Sequence, residues 1–391
     1  MSVTTKQPKE ILTQPDSVKL AYFDKYTIAH PRLDEAFNYL KLLVSNPGES
    51  RVIFIYGPTG VGKTTLRLLI EKWLIETALQ ELEAKPGYLP VVSVEAVVQK
   101  SGLFNSKDYI KRCLVELNEP LIDHKIDYGA RGIYRNNNGQ IVIESKVLET
   151  DLGWALEQAL KHRKPKIFFI DEAHHMLMLA SGRKLTDLPE AIKSLANRTG
   201  VVHGLVGTYE LLSLHDVGDQ LSRRSVYVHF PRYRADITQD REIFQSVVWG
   251  FQLHMPLHEE PDLLSHWDYC YERSLGCVGI LKNWFRNALA DAITEGANTV
   301  EIKHLEQRAL SVAQCRNIFN KIKEGEKNQA QIDASAEQLR MELGLPINTS
   351  LDINDSHTQT NEKTQLNIHT AKSSRKNVGQ PKPKRRPVGT K

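Results

Sequence analysis

Apolar positions along the chain follow two different periods. Around Asp34 to Leu43 they fall at helical spacing (Leu33, Ala36, Phe37, Tyr39, Leu40, Leu43), with Asp34 and Glu35 in the first turn and Pro31 just ahead. That is the pattern of a helix and its start. After the Asn46-Pro47-Gly48 break, Val52 to Tyr56 is one continuous apolar run, which predicts a strand buried on both faces. A helix is expected from Gly62 to about Leu82, ending near Lys85-Pro86-Gly87. Four more short, β-branched runs follow at Val91 to Val94, Ile167 to Ile170, Val201 to Val206 and Val226 to Phe230, with helical stretches between them. The alternation predicts an α/β fold, a parallel sheet with helices on both faces.

The interval 102–160 is longer than one crossover needs. Within it, two β-prone stretches flank Asn136-Asn137-Asn138-Gly139, so an inserted hairpin is expected near 132–143. From Arg241 the pattern turns helical: Ile243 through Leu253, Leu275 to Ala292, and Ile302 to Ile322. The expected organisation is a flexible N-terminus over 1–18, a core over 19–240, a small α-helical lid over 241–325 and a tail over 326–391. No Phe, Tyr or Trp occurs after Phe319, so the tail is expected to be mostly disordered.

Length and composition narrow the class. The 391 residues suffice for two domains plus tails, and 41% hydrophobic with 25% charged residues is an ordinary globular balance. No apolar run approaches the ~20 residues needed to cross a bilayer, and the first residues hold no signal-like apolar core. Cys113, Cys270, Cys277 and Cys315 form no C-x-x-C pair, which predicts buried or free thiols, a cytoplasmic location and no membrane partner. Residues 372–391 hold eight Lys/Arg and no Asp/Glu, so this tail outweighs the net +4 of the whole chain and leaves the body mildly acidic. A localised polyanion contact or a solubilising tail both fit that charge pattern.

The strongest chemical signal is Gly57-Pro58-Thr59-Gly60-Val61-Gly62-Lys63-Thr64, a full match to G-x-x-x-x-G-K-[ST] between a strand and a helix, continued by Thr65. Glycines let backbone N–H groups turn inward around a β-phosphate, and the helix start adds its positive dipole end. Lys63 would pair with the β- and γ-phosphates and Thr64 would offer its hydroxyl to Mg²⁺, so ATP and Mg²⁺ are the expected cofactors. The second signal is the strand Ile167-Phe168-Phe169-Ile170 ending in Asp171-Glu172. Asp171 is placed to hold Mg²⁺, mostly through water, and Glu172 to polarise the attacking water. Such a pair could also cap a following helix. Asp171-Glu172-Ala173-His174 spells a helicase box, but no second recombinase-like domain follows, so His174 and His175 are read as helix-start residues. Thr208, after Leu205-Val206-Gly207, would sit between the two motif strands and touch the γ-phosphate or the water, or simply end the strand. Arg223 and Arg224 precede the fifth strand, where an arginine would reach a neighbouring subunit's nucleotide, or be merely solvated.

In this order the motifs resemble an AAA+ ATPase, a five-stranded parallel αβα P-loop core with a small helical lid. More narrowly, the chain resembles the TnsC/TniB family of DNA transposition regulators. The resemblance covers roughly 20–320 and rests on 22–30 before the first helix, 57–66, 168–176, GLVGTYEL at 204–211 and SRRSVYVHFPRY at 222–233. It implies ATP-dependent assembly of a homo-oligomer, ring or filament, on double-stranded DNA. It further implies coupling of a TniQ/TnsD-like target selector to transposase subunits, with hydrolysis resetting the assembly. By position, Arg224 is the finger and Arg223 the reserve, and Thr208 takes the sensor-1 role. The lid departs from the family: Ile280 stands where a sensor-2 arginine is usual, leaving Lys282 as the substitute and Arg286 beyond it. DNA-facing candidates after the second strand are Lys125, Lys146 and Thr150, though for each the ordinary-surface reading weighs more. The alternatives left open are another AAA+ machine, initiator-like or secretion-associated, and a nucleotide-gated scaffold with negligible turnover.

Overall fold

The computed structural model describes residues 7–99, 102–118, 133–135, 141–143, 149–178, 187–214 and 225–344. In chain order the helices are α1 (Asp16–Lys25), α2 (Pro31–Ser45), α3 (Lys63–Thr77), α4 (Leu79–Ala84), α5 (Ser106–Glu116) and α6 (Glu149–Arg163). They continue with α7 (Asp187–Thr199), α8 (Thr238–Leu253), α9 (Trp267–Ser274), α10 (Val278–Thr294), α11 (Ile302–Arg308) and α12 (Val312–Glu342). The strands are β1 (Val52–Tyr56), β2 (Val91–Glu95), β3 (Ile133–Arg135), β4 (Ile141–Ile143), β5 (Ile167–Asp171), β6 (Val202–Gly207) and β7 (Ser225–His229).

Five strands pair in parallel in the order β2-β5-β6-β1-β7. Every residue of β1 and β6 is buried, which explains their continuous apolar sequence. Successive strand residues point to opposite faces. Phe54 and Tyr56 of β1 therefore join Phe168 and Ile170 of β5 in a core covered by α5, α6 and α7. Ile53 and Ile55 join Phe169 in a second core under α2 and α3. In register, Tyr56 lies opposite Gly207 and His229, and Asp171 opposite Glu95, so the ends that carry the motifs line up along one edge. The insertion between β2 and β5 contains the antiparallel pair β3–β4, Ile133 facing Ile143. The turn expected at 136–139 lies outside the described residues.

A third core joins α8, α10 and α11 through Phe244, Phe251, Trp284, Phe285 and Leu305. Here the structure corrects three boundaries. Within the N-terminus expected to be flexible over 1–18, a short turn at Lys9–Thr13 leads into α1 from Asp16, and Phe23 of that helix is wholly buried in this lid core. The helix expected over 302–322 is two helices. Ala309 is extended, and Ser311 with Gln314 forms a reciprocal cap, Ser311 N–H to Gln314 Oε1 at 2.9 Å and Gln314 N–H to Ser311 Oγ at 3.3 Å. Finally, α12 does not stop near 325. Its continuation needs no aromatic residue because Glu326 and Gln329 find polar partners on the core, Arg232 and Tyr56. The rest of the predicted tail, from 345, lies outside the described residues. Among the described residues no helix is long and apolar enough to cross a membrane.

Candidate active site

The loop between β1 and α3 is held in a shape only glycines allow at three points. A Cβ on Gly57 would lie 2.1 Å from the Phe230 carbonyl oxygen, while Gly60 (φ +75°) and Gly62 (φ +116°) occupy the left-handed region. Lys63 opens α3 with 9% of its surface exposed. Its Nζ donates to the carbonyls of Gly57 at 2.9 Å and Pro58 at 2.7 Å. Burial pushes its pKa down to about 8, against the pull of Glu172, Cys277 and Asp171. The ammonium thus rests on two loop carbonyls, largely shielded from water.

Asp171 ends β5 beside this loop. Its Oδ1 accepts the Glu172 N–H at 3.0 Å, and its Oδ2 accepts Thr64 Oγ1 at 3.4 Å and Arg67 Nε at 3.0 Å. A hydroxyl and a carboxylate converging next to a phosphate cradle are the hard oxygen donors that suit Mg²⁺, so the residues fit the ion. Glu172 takes a left-handed backbone (φ 50°), and its side chain is half-buried. Burial first, then the Asp171 charge, raises its pKa. His174 Nδ1 lies 3.2 Å from Glu172 Oε2, and His174 is itself held below the usual imidazole range by burial and by His175. His175 Nδ1 bonds the Ala96 carbonyl at 2.8 Å. Both histidines stand in the short 3-10 turn Ala173–Leu177, and no metal-binding His/Cys/Asp/Glu cluster occurs among the described residues.

Thr208 follows β6, which separates β1 from β5 in the sheet. Its Oγ1 is buried without a hydrogen-bond partner, so a polar ligand group would satisfy it. Beside it opens a cavity of ≈ 650 Å³ lined by Pro58, Thr59, His174 and Thr208 on one side and by Lys321 and Gly325 of α12 on the other.

The lid reaches the loop differently from expectation. Ile280 N–H donates to the Gly60 carbonyl at 3.0 Å, and a Cβ on Gly279 would lie 2.6 Å from that same oxygen. Lys282 lines a small hollow with Val61, Gly62 and Thr65, yet its Nζ donates to the Asp24 carbonyl at 2.8 Å. Burial lowers the Lys282 pKa. The structure thus brings Ile280, not Lys282, onto the phosphate loop by hydrogen bonding.

Arg223, Arg224, Lys125 and Lys146 lie outside the described residues. Thr150 is exposed in the first turn of α6. Sequence reading missed three polar joints. Arg67 also pairs with Glu71, which accepts Ser93 Oγ from β2. His30 Nδ1 meets Tyr233 Oη at 2.8 Å, while Arg32 binds both carboxylate oxygens of Asp240 and lies over the Tyr233 ring. Arg232 pairs with Glu326 at 2.9 Å and donates to Tyr271 Oη at 2.8 Å. Only the Arg67–Glu71 spacing of four residues on one helix carried a local signal.

Residues 47–214, from before β1 to the turn after β6, match the family model described as an AAA domain. The chain thus carries an AAA-type P-loop ATPase domain, and its five-stranded, all-parallel sheet with flanking helices is the AAA+ fold. No curated protein matches the chain. Among solved structures, it is similar to the ORC2 protein of Aeropyrum pernix in ADPNP-ADP complexes: 16% identity over 74% of this chain and 72% of that one, TM-score 0.46. A Walker-type ATPase of Pyrococcus abyssi shares 15% identity over 82% and 80% of the two chains, TM-score 0.46. Domain III of the replication initiation protein DnaA from Thermotoga maritima shares 16% identity over 75% and 96%, TM-score 0.42.

Proposed function

We propose that this chain hydrolyses ATP and that its nucleotide state governs assembly on duplex DNA, as a regulator of transposition of the TnsC/TniB type. The observation that carries the ATPase half is one convergence. Lys63 waits on the loop carbonyls while Thr64 and Asp171 meet at a single carboxylate oxygen beside it. Lys63 exchanges its two carbonyl bonds for the β- and γ-phosphate oxygens, and the loop N–H groups complete the cradle. Thr64 and Asp171 would hold Mg²⁺, and the ion would supply neutralisation of charge on the phosphates. Glu172 accepts the proton of the attacking water and must be ionised to do so, and its raised pKa keeps it basic enough for the task. Thr208 Oγ1 supplies a hydrogen bond to the γ-phosphate or the water.

The transposition half rests on the sequence resemblance. Two segments that carry it, 22–30 and 222–233, supply His30 and Tyr233, which are hydrogen-bonded to each other. In this reading Arg224, with Arg223 in reserve, completes a neighbouring subunit's site, so hydrolysis depends on assembly. Lys125, Lys146 and Thr150 contact DNA phosphates without reading sequence. The basic tail adds DNA affinity or docks a transposase, and a TniQ/TnsD-like selector directs the assembly. Negative-stain imaging of the protein on linear duplex DNA tests the proposal, with ATP, a non-hydrolysable analogue or no nucleotide. Rings or filaments only where a nucleotide is present support it. Bare DNA in every sample contradicts the polymer mechanism.

A further inference from the structure

The carboxylate that ends β5 has a second cation beside it. Asp171 Oδ2 accepts Arg67 Nε at 3.0 Å as well as Thr64 Oγ1 at 3.4 Å. Arg67 sits one turn beyond Lys63 on α3 and shares its guanidinium with Glu71, one turn further on, and Ser93 Oγ of β2 donates to that same Glu71. The side chains of Arg67, Asp171 and Glu71 are 15%, 13% and 20% exposed, so the group is largely shielded from water. In such a place a bare carboxylate is costly and a neighbouring cation offsets that cost. Two cations on one carboxylate oxygen repel each other there far more than they would in water.

We propose that Arg67 is a positioning residue that occupies the metal-facing oxygen of Asp171 in the metal-free protein and competes with Mg²⁺ for it. Glu71, fixed by Ser93, is the second carboxylate onto which the guanidinium withdraws when the ion binds. Arg67 therefore opposes metal binding and Glu71 favours it, a pair of opposed effects that a purely structural salt bridge does not produce. The inference rests on the ATPase reading of the site.

The test uses the full chain and a fluorescent, non-hydrolysable ATP analogue titrated with Mg²⁺, reading the Mg²⁺ concentration that gives half the metal-dependent gain in binding. Arg67→Met should lower that concentration threefold or more. Glu71→Gln should raise it threefold or more, and Arg67→Lys should stay near the wild type. Binding of fluorescent ADP in EDTA, which involves no ion, should stay within twofold and reports that each variant is folded. If Arg67→Met fails that check, Glu71→Gln and Arg67→Lys carry the test. Shifts in the same direction, or no shift in Glu71→Gln, overturn the proposal. A wild type that binds no nucleotide overturns this inference and the ATPase reading together, whereas nucleotide binding without opposed shifts overturns only the competition.

Discussion

The phosphate side of the cleft and its lid side are built in opposite ways. On the phosphate side the loop and its helix bond within themselves, Lys63 to Gly57 and Pro58 and Arg67 to Glu71, and the long-range partner is Asp171 of β5, which meets Thr64 and Arg67. On the lid side the partners come from the far ends of the chain. Arg32 reaches Asp240, Lys282 reaches Asp24, Arg232 reaches Glu326 and Tyr56 reaches Gln329. The first side is a motif whose chemistry is fixed by spacing. The second is a joint between α1, α2, α8, α10, α12 and the sheet, and it exists only once those elements have packed.

If that contrast is sound, the largest single effect belongs to the phosphate side. Lys63→Ala removes two charge-assisted bonds in waiting and should weaken nucleotide binding by about 10²- to 10³-fold, each such bond being worth roughly 1.5–3 kcal/mol. Titration with a fluorescent nucleotide reads it. Near-normal affinity would mean the loop cradles phosphate without its cation.

Acid pH tests the lid joint alongside the interior of the sheet. His203 in β6 and His30 at the lid joint are both buried and both have pKa values pushed down to about 4, chiefly by burial. The His203 Nε2 has no hydrogen-bond partner, and His30 Nδ1 accepts from Tyr233 and Leu33. Between pH 6.5 and 4 the unfolded chain takes up these protons before the folded one does. The contribution of these two histidines should be flat above 6.5 and fall as pH drops through that window, by up to about 3 kcal/mol per histidine. Denaturation midpoints against pH measure it, and His30→Gln should remove its share of the slope. A slope unchanged by that substitution would refute the account of the joint.

Smaller again is Glu326→Ala. It leaves the Arg232 guanidinium, 8% exposed, with Tyr271 and the Leu275 carbonyl as its polar partners. A cost of about 2 kcal/mol is expected, less than for breaking a fully buried pair because Glu326 is partly solvated. Urea denaturation should show the loss, and an unchanged midpoint would mean that α12 is not fastened to the core at this point. The least effect is expected from Lys282→Ala: less than a threefold change in ATP affinity, because its ammonium is engaged by Asp24. A larger loss in the same nucleotide titration would show that the lid lysine moves onto the phosphates.

The same contrast explains what could be read from the sequence. β1, β5 and β6 are buried on both faces and announce themselves as unbroken apolar runs, and the loop at 57–64 is defined by its own spacing. The antiparallel β3–β4 pairing was legible as two β-prone stretches flanking Asn136-Asn137-Asn138-Gly139. By contrast, α12 beyond 325 carries few apolar residues, and it is held by Glu326 and Gln329, whose partners lie 94 and 273 positions away. No local pattern contains that information. The break between α11 and α12 was legible in principle, since Ser311-Val312-Ala313-Gln314 is a capping-box sequence within an otherwise helical stretch. Phe23 in the lid core likewise needed the tertiary fold, because α1 has almost no apolar face of its own.

The most direct test of the central claim, that this cleft hydrolyses ATP with Glu172 as the water-activating base, is single-turnover phosphate release by the wild type and Glu172→Gln. Nucleotide affinity should be measured on the same samples. The account predicts affinity within about threefold and release slowed by about 10²-fold or more, the usual worth of a positioned base. Equal release rates from the two proteins at equal nucleotide occupancy would contradict it.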